Sequence, residues 1–307
     1  MNRRGVALLV TGAVAVCAAL TGCGASSPAS GDGAAPAGSS SEVAIPAVAK
    51  DAALAAKLPE EIRSAGVLRV AMDETYPPFE SVQAGKVVGL DPDLANAIGG
   101  VLGVRAEFVN TSFDAIIPSL TSNKVDLAMS SIGDTKERER TIDLATYYWN
   151  GTLVLVKSGN PAQIKADQVC GARIGVIRGS LQQTSFLPSQ AAKCAAAGKP
   201  AAKVEVYQNG PQAQLALQSG RIDGVMEDAP PLLAVAAQQK DVFETAGPFF
   251  RNPNPGGVAF PKGSKLVEPV HEALEVLLKN GTYQAILKKW NLEKIAIDKS
   301  EINGAQS

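Results

Sequence analysis

From Leu58 onward the chain alternates short apolar runs with stretches whose apolar residues recur every three or four positions. This is the pattern of strands followed by amphipathic helices. Residues 58–65 read as a short helix stopped by Gly66, and 67–72 as a strand. Residues 92–102 carry Leu94, Ala97, Ile98 and Val101 on one face, a helix with Gly103 as its stop. Strands are predicted at 104–109, 125–129 and 152–156, with a helix over 113–122 and a breaker at Gly159-Asn160-Pro161. The second half repeats the alternation. Strands are predicted at 173–177, 204–207, 223–226 and 257–260, and helices from Leu181, over 211–219 and over 230–238. Two C-terminal helices close the pattern, 266–279 and 282–290, with Asn280-Gly281 as a stop and Thr282 as a cap. Residues after Asn291 are expected to be loosely ordered. The alternation predicts an α/β fold in two units of comparable size.

Length and charge narrow the class. A chain of 307 residues sets a soft prior of two domains. With 29 Lys+Arg against 30 Asp+Glu it lacks the basic excess of a nucleic-acid binder. The single histidine, His271, excludes a multi-histidine zinc site and is the only candidate base for a Ser-His-Asp triad. Neither a metal nor a cofactor is called for. A hydrophobic content of 46% is ample for a core.

The N-terminus reads as an address. Arg3 and Arg4 precede an uncharged, mostly apolar run, 5–20, too short and too rich in Gly and Ala for a membrane span. It ends in Leu20-Thr21-Gly22-Cys23, which resembles the bacterial lipobox. The resemblance implies a signal peptide over 1–22, removed, and a lipid on Cys23; the plain alternative is a secretory signal that contains a cysteine. Residues 24–49 are nearly all Gly, Ala, Ser and Pro, a composition that behaves as a flexible tether. The folded part is expected from about Asp51. No later run approaches about 20 apolar residues, so the rest is expected to be soluble and extracytoplasmic. Of the remaining cysteines, Cys17 leaves with the signal. Cys170 and Cys194 form an even pair in an oxidising space and read as a disulfide, with two buried thiols as the alternative.

Several segments carry a second resemblance. An apolar strand runs into Asp73-Glu74-Thr75-Tyr76-Pro77-Pro78-Phe79-Glu80. Then follow Gly89-Leu90-Asp91-Pro92-Asp93-Leu94, Ile116-Ile117-Pro118-Ser119-Leu120, Asp126-Leu127-Ala128-Met129-Ser130-Ser131 and Thr135-Lys136-Glu137-Arg138. Gly179-Ser180, the run from Ala216 to Asp223, Ala259-Phe260-Pro261-Lys262-Gly263-Ser264 and Asn280-Gly281-Thr282-Tyr283 come later. In this order they resemble the family 3 solute-binding proteins of ABC transporters, over about 60–291. The resemblance implies a periplasmic-binding-protein-like type II fold, two α/β lobes joined by two hinge crossings. It divides the chain into a tether, 23–50, a first lobe, 51–153, a second lobe, 154–252, a return to the first lobe, 253–295, and a tail, 296–307. The crossings are placed near 152–157 and 248–257, and the C-terminal helices on the first lobe.

The resemblance also implies a site. A free amino acid is a zwitterion, and a closed cleft strips water from both charges, so each needs an opposite, hydrogen-bonded partner. Arg138 is the expected partner of the ligand carboxylate, with Ser130 and Ser131 adding donors. Its alternative is one solvated charge in the run Lys136-Glu137-Arg138-Glu139-Arg140. Gly133 departs from the hydroxyl residues common at this position and offers only its amide. Asp228 is the expected partner of the ligand ammonium, or else a helix cap. Gly179 and Ser180 supply donors from the second lobe. Tyr76 and Phe113 would sandwich the ligand side chain, or pack in the core. Asp73 would meet a cationic or amide group, and Ile177 stands where glutamine receptors can carry Lys, which favours a cationic ligand.

The reading is thus a monomeric amino-acid receptor, held by the lipid on Cys23 to the outer face of the cytoplasmic membrane and delivering its ligand to permease subunits. An enzyme on the same scaffold is the alternative, with Asp73 and Glu227 as its candidate acids or bases. A sensor domain of a receptor kinase is disfavoured, since neither a second membrane segment nor a kinase domain is present.

Overall fold

The computed structural model describes residues 44–247 and 249–307. Cys23, the signal and most of the tether lie outside the described residues. Asp51 opens the fold: its carboxylate accepts the amides of Ala53 and Leu54 and starts α1 (Ala52–Ala56). α2 (Glu60–Ala65) ends at Gly66, whose φ of 66° forms a left-handed cap. After β1 (Val67–Met72) comes an antiparallel ribbon of β2 (Thr75–Tyr76), β3 (Glu80–Gln83) and β4 (Lys86–Val88). The sequence pattern does not mark this ribbon, because strands so short hold too few positions to show a period. α3 (Leu90–Leu102), β5 (Arg105–Asn110), α4 (Phe113–Thr121), β6 (Leu127–Gly133) and β7 (Ile142–Tyr148) complete the first half. Arg138 begins a single 3-10 turn, Arg138–Arg140, between β6 and β7.

The second half holds β8 (Gly151–Lys157), β9 (Arg173–Ile177), α5 (Leu187–Ala196), β10 (Lys203–Tyr207), α6 (Gly210–Gln218), β11 (Gly224–Asp228), α7 (Ala229–Gln238), β12 (Phe243–Thr245) and β13 (Phe250–Arg251). The helix expected from Leu181 begins as a π-helical stretch, Gln182–Phe186, and becomes regular in α5. β14 (Gly256–Pro261), α8 (Val267–Lys279) and α9 (Thr282–Lys289) follow.

Two sheets organise these elements. The first runs β5-β1-β6-β14-β7, with β1 parallel to β5 and β6, and β14 antiparallel to β6 and β7. Alternation sorts its side chains. Val70, Met72, Leu127 and Met129 pack with α3, α8 and α9, whereas Ala71, Ala128 and Leu144 pack with Ile116 and Leu120 of α4. The C-terminal helices therefore lie on the first lobe. The second sheet runs β10-β9-β11-β8-β12, with β13 paired to β8. Leu153 and Leu155 of β8 face α6 and α7, while Val154 and Val156 face Val169, Val176 and Leu187. The chain leaves the first sheet at Tyr148, enters the second at Gly151, and returns between Arg251 and Gly256. Residues 152–157, expected near a crossing, are thus strand within the second sheet. Cys170 and Cys194 form a disulfide with Cα atoms 5.6 Å apart, tying the loop before β9 to α5.

The expectation of a loose tail is overturned. Leu292, Ile295 and Ile297 are buried in the first core, and Asn303 Oδ1 accepts the Leu144 amide at 3.0 Å. Glu139, within the charge run 136–140, accepts the Ala305 amide at 3.1 Å. His271 Nε2 lies 3.1 Å from the Ser300 carbonyl. Trp290 donates to Asp93 at 2.7 Å and fastens α9 to α3. The tail's apolar residues follow no helical or strand period, which hides their burial from the sequence. Nor does Thr282 cap α9 with its side chain; Asn280 Oδ1 accepts the Thr282 amide instead.

Beneath the inter-lobe face lies a fully buried acidic pair, Glu80 and Asp91. Glu80 Oε1 accepts from Ser130 Oγ at 2.5 Å, and Asp91 accepts from Tyr147 Oη at 2.6 Å and the Ser131 amide at 3.3 Å. Burial raises both carboxyls, Glu80 well above its usual range and Asp91 to about 6. Two adjacent carboxyls without a cation hold a proton between them.

Two outcomes are expected. Ile297→Ala should lower the unfolding free energy by about 2–5 kcal/mol in a urea titration, and a change near zero would show that the tail adds nothing to the core. Because Asp91 binds its proton more tightly folded than unfolded, it costs stability as pH rises from about 4 to about 6. Asp91→Asn removes this penalty. Its stability relative to wild type should shift in the variant's favour by about 2–3 kcal/mol between pH 4 and pH 7, and a pH-independent difference would refute the shared proton.

Candidate functional site

The strand ends of the two sheets face each other across a narrow cavity. β1 delivers Asp73, β2 Tyr76, the first turn of α4 Phe113, and β6 Ser130, Ser131 and Gly133. The second sheet supplies Ile177 at the end of β9, then Ser180 and Gln182, and Glu227 and Asp228 at the end of β11. All the candidate ligand-binding residues except Gly179 line this cavity. A larger hollow of about 590 Å³ lies beside the crossings, lined by Pro77, Trp149, Leu233 and Phe249, and takes in none of them.

Arg138 is not a solvated charge. Its Nη1 donates to the Gly133 carbonyl at 2.7 Å and its Nη2 to the Gly179 carbonyl at 3.0 Å, so one guanidinium spans both lobes. It sits 5.8 Å from the centre of the Phe113 ring. Burial lowers its pKa, while Tyr148 and Asp228 hold it up, and a guanidinium keeps its charge throughout. Gly179 has φ +78° and lends its carbonyl to Arg138; its amide donates to Gln183.

Asp228 occupies the cap position of α7, yet its side chain makes no capping bond. It faces the cavity instead. Oδ2 accepts from Ser131 Oγ at 2.9 Å, across the lobes, and Oδ1 accepts from Gln182 Nε2 at 2.9 Å. Burial raises its pKa, opposed by the hydrogen bonds from Gln182 and Ser131. Ser131 also lies 3.0 Å from Tyr148 Oη, and Ser130 Oγ accepts the Asp73 amide at 3.1 Å.

Asp73 caps the start of α4 and lines the cavity as well. Its carboxylate accepts from the hydroxyl and amide of Thr75 and from the Phe113 amide at the start of α4, and the residue still lines the cavity. Tyr76 stacks with Phe79 at 6.0 Å, and burial beside Asp228 pushes its phenol well up. Sequence reasoning missed Gln182, Asn150 and Tyr148, whose polar atoms reach Ser131 or Asp228. No motif marks them, since their roles depend on where the crossing places them. Glu227 is fully buried with both carboxyl oxygens unpartnered, and burial beside Asp228 and Asp73 raises it to about 8. The sequence names it as a candidate acid or base, and its place beside Asp228 within an apolar strand run is the signal that marks it.

The cavity thus sets one guanidinium near one end against several carboxyls, a layout for a small molecule that carries an anion and more than one hydrogen-bonding or cationic group. Comparison with known proteins agrees with this. The model of the bacterial extracellular solute-binding proteins, family 3, matches residues 68–293. The arginine-binding protein ArgT of Corynebacterium glutamicum is 28% identical over 81% of this chain and 82% of its own. A putative ABC transporter arginine-binding protein of Escherichia coli is 33% identical over 78% of this chain and 96% of its own. Among solved structures, an ancestral arginine-binding protein bound to arginine superposes with a TM-score of 0.67 at 36% identity, over 73% of this chain and 98% of that one. With its two lobes, its ordered motifs and this match over most of its length, the chain belongs to the family 3 bacterial extracellular solute-binding proteins.

Proposed function

We propose that this protein is the substrate-binding component of an ABC importer and binds a cationic amino acid, with arginine as the leading candidate. One observation carries the reading: Arg138 and Asp228, of opposite charge and from opposite lobes, converge on one cavity. A zwitterion entering it exchanges water for a guanidinium at its carboxylate and a carboxylate at its ammonium. Ser180 adds a hydroxyl donor, Ser130 and Ser131 line the cavity with their hydroxyls turned to Glu80 and Asp228, the Gly133 amide contributes beside them, and Tyr76 and Phe113 flank the side chain. The acidic surplus of Asp73 and Glu227 and the arginine-binding names of the relatives support the cationic side chain. The same names support binding without chemistry.

Closure follows from the split of charges. Ligand held first on the lobe of Arg138 gains Asp228 only when the lobes meet, so it favours the closed state by its extra affinity there. The lobe boundaries are drawn where the chain changes sheets, at 149–150 and 252–255. Cys23 carries the lipid that holds the receptor, a monomer, on the outer face of the cytoplasmic membrane beside its permease.

Arginine at a hundredfold excess over its Kd should stabilise wild type by about 2.7 kcal/mol, a rise of roughly 5–10 °C in Tm. Arg138→Ala should abolish this rise, and an unchanged shift would remove the carboxylate assignment. Cys23→Ala should release the protein to the medium, whereas retention in the membrane fraction would count against the anchor.

A further inference from the structure

One carboxyl in the cavity is used neither by the fold nor by the recognition of a zwitterion. Glu227 precedes Asp228 on β11, is 1% exposed, and has no hydrogen-bond partner on either oxygen. It lies against the start of α6: a Cβ at Gly210 would stand 3.1 Å from Oε1. The ionisable groups that bear on it are Asp228 on its own strand and, from the opposite lobe, Asp73 and Tyr76. The start of α6 presents Asn209, Gly210 and Gln214, all uncharged. Among the described residues lining the cavity, Arg138 is the one cation, and it is held by the Gly133 and Gly179 carbonyls.

The charge count is therefore incomplete. If the ligand carboxylate takes Arg138 and the ligand ammonium takes Asp228, Asp73 and Glu227 remain. Asp73 already accepts three hydrogen bonds from Thr75 and Phe113. Glu227 accepts none, and a buried carboxylate without partners costs several kcal/mol. In the empty protein it keeps its proton, in line with its rise to about 8. Only a second positive charge entering the cavity makes the ionised form favourable.

We propose that Glu227 seats the side-chain cation of the ligand, a guanidinium or ammonium, and surrenders its proton to solvent as that cation enters. The step is balanced: the carboxyl O–H bond breaks, the proton leaves to buffer, and an ion pair replaces it. A neutral side chain leaves the proton in place. Selectivity for cations is then coupled to proton release. This inference rests on the amino-acid reading above and assigns the residue that sets its side-chain class.

Titration calorimetry on the full chain, at pH 6.5 in buffers of different ionisation enthalpy, tests it with arginine and with glutamine as the neutral probe. Wild type should release close to one proton on binding arginine and none on binding glutamine. Glu227→Gln should lose the proton release and lose at least tenfold more affinity for arginine than for glutamine. Retained glutamine binding also shows that the variant is folded. A second measurement needs no variant: wild-type arginine affinity should rise about tenfold per pH unit from 6 to 7 and level off above 8, with glutamine affinity flat. Equal losses for both ligands, or undiminished proton release in Glu227→Gln, would overturn the assignment while leaving amino-acid binding intact. A wild type that binds neither ligand would overturn both readings.

Discussion

Ser131 forms one of the hydrogen bonds between the two lobes and ties it to the buried core, beside the Arg138 bond to Gly179. Its hydroxyl donates to Asp228 and lies within 3.0 Å of Tyr148, and its amide donates to the buried Asp91. The residue holds φ at +48°, a left-handed conformation that costs a non-glycine residue on the order of 1 kcal/mol or more. Such a conformation persists only when its surroundings fix it from several sides. Here they do, and the network extends outward: Gln182 joins Asp228 to Thr152, and Thr152 donates to Asn252 at 3.0 Å. Thr152 and Asn252 stand next to the two passages between the sheets. The geometry of the cavity is therefore linked to the places where the chain must bend for the lobes to move.

The same network explains an interior with more acid than base. Glu80 and Asp91 lie under Ser130 and Ser131, and Asp73, Glu227 and Asp228 surround the cavity above them. Burial raises the pKa of Glu80, Asp91, Glu227 and Asp228, so the protein bears a desolvation cost where it could have held apolar contacts. Replacing such groups by packed hydrophobic residues is commonly neutral or stabilising. Their presence is intelligible as recognition: a site prepared for positive charge is costly until the charge arrives.

Much of the fold was legible because the segments that position the site are strongly periodic. β1, β9 and β11 read as apolar runs of strand length, and Gly66, Gly103 and Gly281 mark stops with positive φ. What escaped the pattern shares one cause, dependence on distant contacts. The ribbon after β1 is too short to show a period. β7 lies wholly in the core, so it offers no alternation. The tail is ordered by Asn303, Glu139 and its buried isoleucines, none of which forms a local signal. The cavity residues follow the same division. Those in ordered motifs, such as Arg138 and Asp228, could be placed from sequence. Gln182, Asn150 and Tyr148 reach the cavity only because a π-helical turn and a crossing carry them there.

Gly133 shows how a departure from a family pattern can be read physically. A hydroxyl residue there would offer a ligand carboxylate another donor. In this chain the position has a different neighbour: a Cβ on Gly133 would approach Leu181 Cδ1 of the opposite lobe to 2.5 Å, closer than real contacts allow. The bare backbone lets Leu181 close over this end of the cavity, where the Gly133 carbonyl accepts from Arg138 Nη1. One donor is exchanged for tighter apolar closure. Excluding water from a charge pair strengthens it by lowering the local dielectric. On the proposed reading, the missing hydroxyl is offset by the closer seal around the Arg138 guanidinium, and the ligand carboxylate would rely on that single cation.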